Sequence, residues 1–194
     1  IAYFQARTNT YAPVAVLREK FEAALAVDGI VGLNIATRAD CLPPDVVAYL
    51  ADLAERTDLT VELGLQSSSD VTAERIHRGH TWAQFLDGYN RLRAASGKIA
   101  VCVHLIFGLP GEDDETMLQT VRDVATLRPE QVKLHLLHVL RETELEKQWR
   151  AGFYQPLEEP HYIRLLASAL ELLPPETVIC RLTGDGSCDD LLAP

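Results

Sequence analysis

Val61-Glu62-Leu63-Gly64-Leu65-Gln66-Ser67 alternates apolar residues with polar or small ones as far as Gln66. That is the period of a strand, whose successive side chains point to opposite faces. Val61, Leu63 and Leu65 make one face apolar; Glu62, Gly64 and Gln66 make the other polar or small. Four more β-rich runs divide in the same way, at 1–5, 30–36, 99–107 and 131–139. Their apolar sets are Phe4, then Leu33 and Ile35, then Val101, Val103, Leu105 and Phe107, then Leu134 and Leu136. Their opposite sets are Tyr3 and Gln5, then Gly32, Asn34 and Ala36, then Cys102, His104 and Ile106, then Lys133 and His135.

The five runs start at 1, 30, 60, 99 and 131, so they lie 29, 30, 39 and 32 residues apart, about one strand-plus-helix unit each. Between them apolar residues recur at helical spacing: Leu17, Phe21 and Leu25, then Val46, Leu50 and Leu53, then Phe85, Tyr89 and Leu92, then Leu118, Val121 and Ala125. Pro13, Pro43 and Pro44 stand where helices start. Glu112-Asp113-Asp114-Glu115 loads a first turn with the negative charge that a helix dipole favours. Repeated βα units predict a parallel sheet, open or curled into a barrel. Beyond it, 143–151 and 162–173 read as helices, 177–182 as a short strand and 183–187 as a loop. The expected division is a barrel-type core over 1–140, with C-terminal helices and a tail over 141–194 packed on it.

In a doubly covered sheet or a filled (βα)8 barrel both strand faces are mostly aliphatic. Here the second face is polar on all five strands. Burying so many polar groups without partners is costly, which places them around a wet, ligand-bearing lumen. An antiparallel sheet with one solvated face is the alternative.

Composition narrows the function classes. Of 194 residues 47% are hydrophobic and 24% charged, the profile of an ordinary globular protein rather than a disordered one. Lys plus Arg number 18 against 28 Asp plus Glu, a net charge of −10. That argues against gripping nucleic acid through a broad basic surface and leaves a local basic funnel open. Apolar stretches are too short for a membrane span. The four cysteines, Cys41, Cys102, Cys180 and Cys188, are widely spaced, and without a secretory signal the expectation is reduced thiols in the cytoplasm. The chain starts on a strand at Ile1-Ala2-Tyr3-Phe4, so it reads as a piece whose natural start lies upstream.

Several motifs fall at the carboxyl ends of the strands. Gln5-Ala6-Arg7-Thr8-Asn9-Thr10 offers backbone groups suited to an ammonium or a carboxylate, and also reads as a plain turn. Thr37-Arg38-Ala39-Asp40 places opposite charges together, as a rim site or a local ion pair. The Gln66 amide both donates and accepts, so it can read a ribose hydroxyl or a carboxylate. Arg78, in Ile76-His77-Arg78-Gly79-His80-Thr81, can clamp a carboxylate in bidentate fashion or stand solvated beside a helix end. Leu105-Ile106-Phe107-Gly108-Leu109-Pro110-Gly111-Glu112 is a strand, a sharp turn and an acidic helix start, whose glycines let the backbone approach a flat ligand. His104, His135 and His138 invite a metal, but no carboxylate or Cys recurs at ligand spacing.

Taken in order, 3–10, 37–43, 63–67, 77–81 and 106–112 resemble a radical S-adenosylmethionine (radical SAM) enzyme. The match is to the elongator-like branch and, within it, the YhcC-like bacterial proteins; Arg181-Leu182-Thr183-Gly184-Asp185 is similar to that subgroup too. The resemblance implies an α/β fold, a partial parallel (βα)6 TIM-like barrel with a C-terminal helical extension. It implies a [4Fe-4S] cluster on a CxxxCxxC motif, which this sequence lacks. The matched motifs then begin at the second barrel strand, with the first βα unit and the cluster ligands upstream of Ile1 and no metal ligand in this chain.

Site roles follow from the resemblance. Gln5, Ala6, Arg7 and Thr8 stand where backbone carbonyls hold the methionine ammonium. Gln66 matches a residue near the ribose and Arg78 one near the SAM carboxylate. His104, Ile106, Phe107 and Gly108 fall on the strand that stacks on and edges the adenine. Glu112 is one residue later than that motif's acid. Asn34, Arg38, Glu62, Lys133 and His135 are left for a substrate of unidentified class. The implied reaction is one-electron reductive cleavage of SAM to methionine and a 5′-deoxyadenosyl radical, with flavodoxin or ferredoxin as electron donor. Two other readings stay open: a non-catalytic SAM-binding or scaffold module, and a cluster-independent (βα)-barrel lyase that uses Lys133 as a Schiff-base nucleophile beside His135.

Overall fold

The computed structural model describes residues 1–5, 7–184 and 189–194; Ala6, Asp185 and Cys188, all named above, and 185–187 of the expected loop lie outside them. The elements run β1 (Ala2–Phe4), α1 (Val14–Leu25), β2 (Gly32–Thr37), a 3-10 turn (Ala39–Cys41), α2 (Pro44–Ala54), β3 (Asp58–Gln66), α3 (Asp70–Arg75), α4 (Trp82–Ala95), β4 (Ile99–Phe107) and α5 (Asp114–Leu127). There follow β5 (Gln131–Leu136), β6 (Val139–Leu140), α6 (Glu144–Arg150), α7 (Glu159–Leu172), β7 (Val178–Arg181) and β8 (Leu191–Ala193). Six strands form one sheet in the order β1-β2-β3-β4-β5-β7, and β6 pairs antiparallel with β8. The chain divides into two compact units. The first comprises Ile1–Leu65, His80–Val103 and Pro129–Gln131; the second comprises Gln66–Gly79, His104–Arg128 and Val132–Pro194.

In the first unit β1, β2 and β3 run parallel, with Tyr3 beside Asn34 and Ala36 beside Glu62. The apolar face is buried as the alternation requires, with Leu33, Ile35, Val61, Leu63 and Leu65 fully enclosed, while on the opposite face Asn34 and Ala36 are half-exposed and Gly32 and Glu62 are buried. α1 follows Pro13, buries Leu17 and Phe21, and sets Phe21 edge-on against Phe4, ring centroids 4.8 Å apart. α4 opens with a capping box: Thr81 Oγ1 accepts from the Gln84 amide at 3.2 Å and Gln84 Oε1 accepts from the Thr81 amide at 2.8 Å.

In the second unit α5 buries Met117, Val121 and Val124 and packs on α7, which buries Tyr162, Leu165 and Ala169. Asp113 caps α5, its Oδ1 accepting from the Thr116 amide at 2.9 Å. β7, within the short strand expected over 177–182, joins the sheet beside β5, and β8 adds a tail strand that the sequence does not announce. Among the described residues no helix is long and apolar enough to cross a membrane.

Candidate functional site

In the first unit the turn after β1 is tied to the end of β2 by Asn9. Its side-chain amide donates to the carbonyls of Phe4 at 3.0 Å and Ala36 at 2.9 Å, and its main-chain amide donates to Ala36 at 3.1 Å. The buried Thr10 hydroxyl lies 2.5 Å from that of Thr37 and 2.5 Å from the Cys41 carbonyl it donates to. Between these ties Arg7 takes the left-handed conformation, φ 65°, uncommon for a residue with a side chain. Arg7, Thr8, Tyr11, Arg38, Asp40 and Cys41 line a hollow of ≈ 530 Å³. Arg38 is held by Asp40 through two hydrogen bonds, 2.9 and 2.6 Å, so the local ion pair is real. Burial pushes the Asp40 carboxyl up, but the Arg38 hydrogen bonds and charge outweigh it and hold it below its usual range. Burial, reinforced by the Asp40 charge, pushes the Cys41 thiol up, which disfavours the nucleophilic thiolate.

The same unit brings together three of the polar residues read from the strands. Glu62 is 1% exposed; the Tyr3 hydroxyl donates to its Oε2 at 2.7 Å and Asn34 Nδ2 approaches Oε1 at 3.5 Å. Gln5 is exposed just beyond β1.

In the second unit Gln66 ends β3 at φ 65°, half-exposed. Arg78 is buried; its guanidinium donates to the Ser67 carbonyl and lies 3.8 Å from Asp70. The His104 and His135 rings lie 5.4 Å apart, tilted by 42°. Lys133 is half-buried on β5 with His135, and Ile106 is half-buried on β4 between the buried Leu105 and Phe107. Gly108 turns the chain at φ 86°. Its amide points to Met117 Sδ at 3.1 Å and its carbonyl accepts from the Tyr154 hydroxyl at 2.8 Å. The turn after β4 is therefore anchored from the C-terminal segment. Burial pushes the Tyr154 phenol up to about 12, so it remains a donor at physiological pH.

Sequence reading left Glu112 without a role and did not single out Ser67, Thr120 or Tyr154. The structure joins Glu112 to Ser67, whose hydroxyl donates to its Oε1 at 2.5 Å. Their separation of 45 positions hides the contact from local patterning; the cue is a serine run, Ser67-Ser68-Ser69, after a polar strand end.

The family description "Radical SAM superfamily" matches residues 2–124 and "Radical_SAM C-terminal domain" matches 129–194. The chain belongs to the radical SAM superfamily. It is 50% identical over 194 residues to the uncharacterized protein YtqA of Bacillus subtilis (strain 168), covering 100% of this chain and 60% of that protein. It is 37% identical over 195 residues to protein YhcC of Escherichia coli (strain K12), covering 100% of this chain and 62% of that one. The chain thus spans about three-fifths of the length of these curated relatives. Among solved structures, the archaeal Methanocaldococcus infernus Elp3 with an N-terminal deletion matches with a TM-score of 0.74 at 24% identity, over 84% of this chain and 38% of that one. Coproporphyrinogen III oxidase (HemN) from Escherichia coli, described as a radical SAM enzyme, matches with a TM-score of 0.61 at 18% identity, over 84% of this chain and 37% of that one. At such identities the likeness shows the fold: the α/β, TIM-like class expected from the repeated βα units.

The superfamily implies SAM and a [4Fe-4S] cluster, and the residues present fit the two differently. The described thiols sit apart in kind and place: Cys41 in the 3-10 turn, Cys102 buried inside β4 and Cys180 exposed on β7. They do not form the local three-thiolate loop a cluster needs. A SAM molecule asks instead for neutral donors and acceptors, a cation for its carboxylate and an apolar side chain for its purine. Gln66, Arg78, His104 and Ile106 are of those kinds, all in the second unit.

Proposed function

We propose that this chain carries the SAM-binding residues of a radical SAM enzyme whose cluster ligands lie outside residues 1–194. The observation that carries this reading is the match of the superfamily description to residues 2–124, which takes in Gln66, Arg78, His104 and the 106–108 strand end. SAM and a cluster, when bound, would supply one-electron reductive cleavage of SAM and hydrogen abstraction from a substrate. Arg78, fixed by the Ser67 carbonyl, offers its guanidinium to the SAM carboxylate. Gln66 hydrogen-bonds a ribose hydroxyl from its left-handed strand end. Ile106 packs on the purine and His104 lies beside it. The resemblance gives Gln5, Arg7 and Thr8, in the first unit, a backbone role toward the methionine ammonium. The candidates for substrate contact are Asn34, Arg38 and Glu62 in the first unit, with Glu62 oriented by Tyr3, and Lys133 and His135 in the second. Flavodoxin or ferredoxin delivers the electron.

The test uses the full-length protein, reconstituted anaerobically with iron and sulfide and reduced in the presence of SAM. Formation of 5′-deoxyadenosine is expected, and none from residues 1–194 treated alike. A full-length protein that holds a cluster yet neither binds nor cleaves SAM contradicts the proposal.

A further inference from the structure

The loop after β3 carries Gln66 and supplies the carbonyl that seats Arg78. Within the second unit it is held by a chain of buried polar groups that the proposed function does not use. Ser67 and Thr120 are 1% and 2% exposed. The Ser67 hydroxyl donates to Glu112 Oε1 at 2.5 Å, lies 3.3 Å from the Thr120 hydroxyl and accepts from the Ser69 amide at 3.1 Å. The Ser68 amide donates to Thr120 Oγ1 at 3.0 Å, and the Ser68 hydroxyl donates to Asp123 Oδ2 at 2.6 Å. Ser67 and Ser68 are thus pinned to α5 and to the turn that precedes it, and Ser69 is tied back to Ser67.

Glu112 closes this chain at some cost. Burial pushes its carboxyl up, against the Ser67 and Thr72 hydroxyls, which pull it down; the charges facing it are Asp113 and Arg75. Arg75 is occupied in part by the Pro110 carbonyl, to which it donates at 2.7 Å. A partly buried carboxylate on a neutral hydroxyl is poor economy for stability alone, since an apolar side chain would avoid the desolvation. What it fixes is the loop bearing the proposed cofactor residues.

We infer that Glu112 is a positioning residue for SAM: through Ser67 it sets the conformation of residues 66–69, and with it the placing of Gln66 and Arg78. This rests on the SAM-binding reading above. The test compares Glu112→Ala, Glu112→Gln and Ser67→Ala in the full-length reconstituted protein, with Val124→Ala as a control that loosens the core of α5 without touching the chain of hydroxyls. Amide exchange in the cofactor-free protein reads the loop, and calorimetry with SAM reads the site. Exchange at Ser69 is expected to quicken at least tenfold in Glu112→Ala and Ser67→Ala. SAM should bind about tenfold more weakly to both. Glu112→Gln keeps the acceptor and should stay within about threefold of the parent, and Val124→Ala should bind SAM normally even if it melts earlier. Should Glu112→Ala not fold, Ser67→Ala decides by the same criteria. Normal SAM affinity in a folded variant with a loosened loop overturns the inference alone. A parent protein that binds no SAM overturns the proposed function and the inference together.

Discussion

The turn after β1, in the first unit, and the loop after β3, in the second, are held by opposite means. The first is pinned by neutral groups: Asn9 on the carbonyls of Phe4 and Ala36, and Thr10 on Thr37 and Cys41. The second is pinned by a carboxylate, Glu112 on Ser67. Each centres on a residue forced into left-handed backbone, Arg7 and Gln66, both at φ 65°. Such strain persists only where the surroundings over-determine it. Neutral pins are indifferent to pH, whereas a carboxylate pin ties loop order to protonation.

The largest effect should come from the neutral side. Asn9→Ala removes two well-formed side-chain bonds and leaves carbonyls short of a donor, so a loss of about 2 kcal/mol is expected in urea unfolding. A loss under about 0.5 kcal/mol would mean the turn is held by something other than Asn9. Next comes the turn after β4. Tyr154→Phe keeps the ring and removes only the hydroxyl on the Gly108 carbonyl, for which about 1 kcal/mol is expected; no change would show that the carbonyl finds water instead.

The smallest effect is the sharpest test of the contrast. The folded Glu112 carboxyl titrates above its ordinary value of 4.5, so the folded state binds the proton more tightly than the unfolded chain does. Its contribution is unfavourable at neutral pH and is relieved as pH falls through the raised folded value, with nothing further to gain below 4.5. Relative to Glu112→Gln, the parent should therefore gain stability between pH 7 and about 4.5. Asn9→Ala, by contrast, should shift the unfolding midpoint equally at both pH values. A Glu112→Gln difference that is flat with pH would erase the distinction between the two pins.

Much of the scaffold was legible because its signals are local. The alternation over 99–107 gave β4 its observed bounds, Ile99–Phe107, and Pro13 and Pro43 stand immediately before the helices they announce. The run 131–139 is two strands, β5 and β6, the second pairing outside the main sheet with β8. That pairing spans some 50 residues, a contact with no sequence signature, and β8 went unread. In the candidate site, residue types could be read but partners could not. Gln66 shows no glycine to announce its left-handed backbone, and Glu112 becomes intelligible only once Ser67 lies 2.5 Å away.

The central claim is that this chain holds SAM, and the paired arginines test it most directly. In the full-length reconstituted protein, calorimetry should show Arg78→Ala weakening SAM about ten- to a hundredfold, the worth of roughly 1.5–3 kcal/mol for a lost charge-assisted clamp. Arg7→Ala, whose proposed role is confined to its backbone, should weaken SAM less. Equal affinity in the parent and in a folded Arg78→Ala would remove Arg78 from the site and contradict the account.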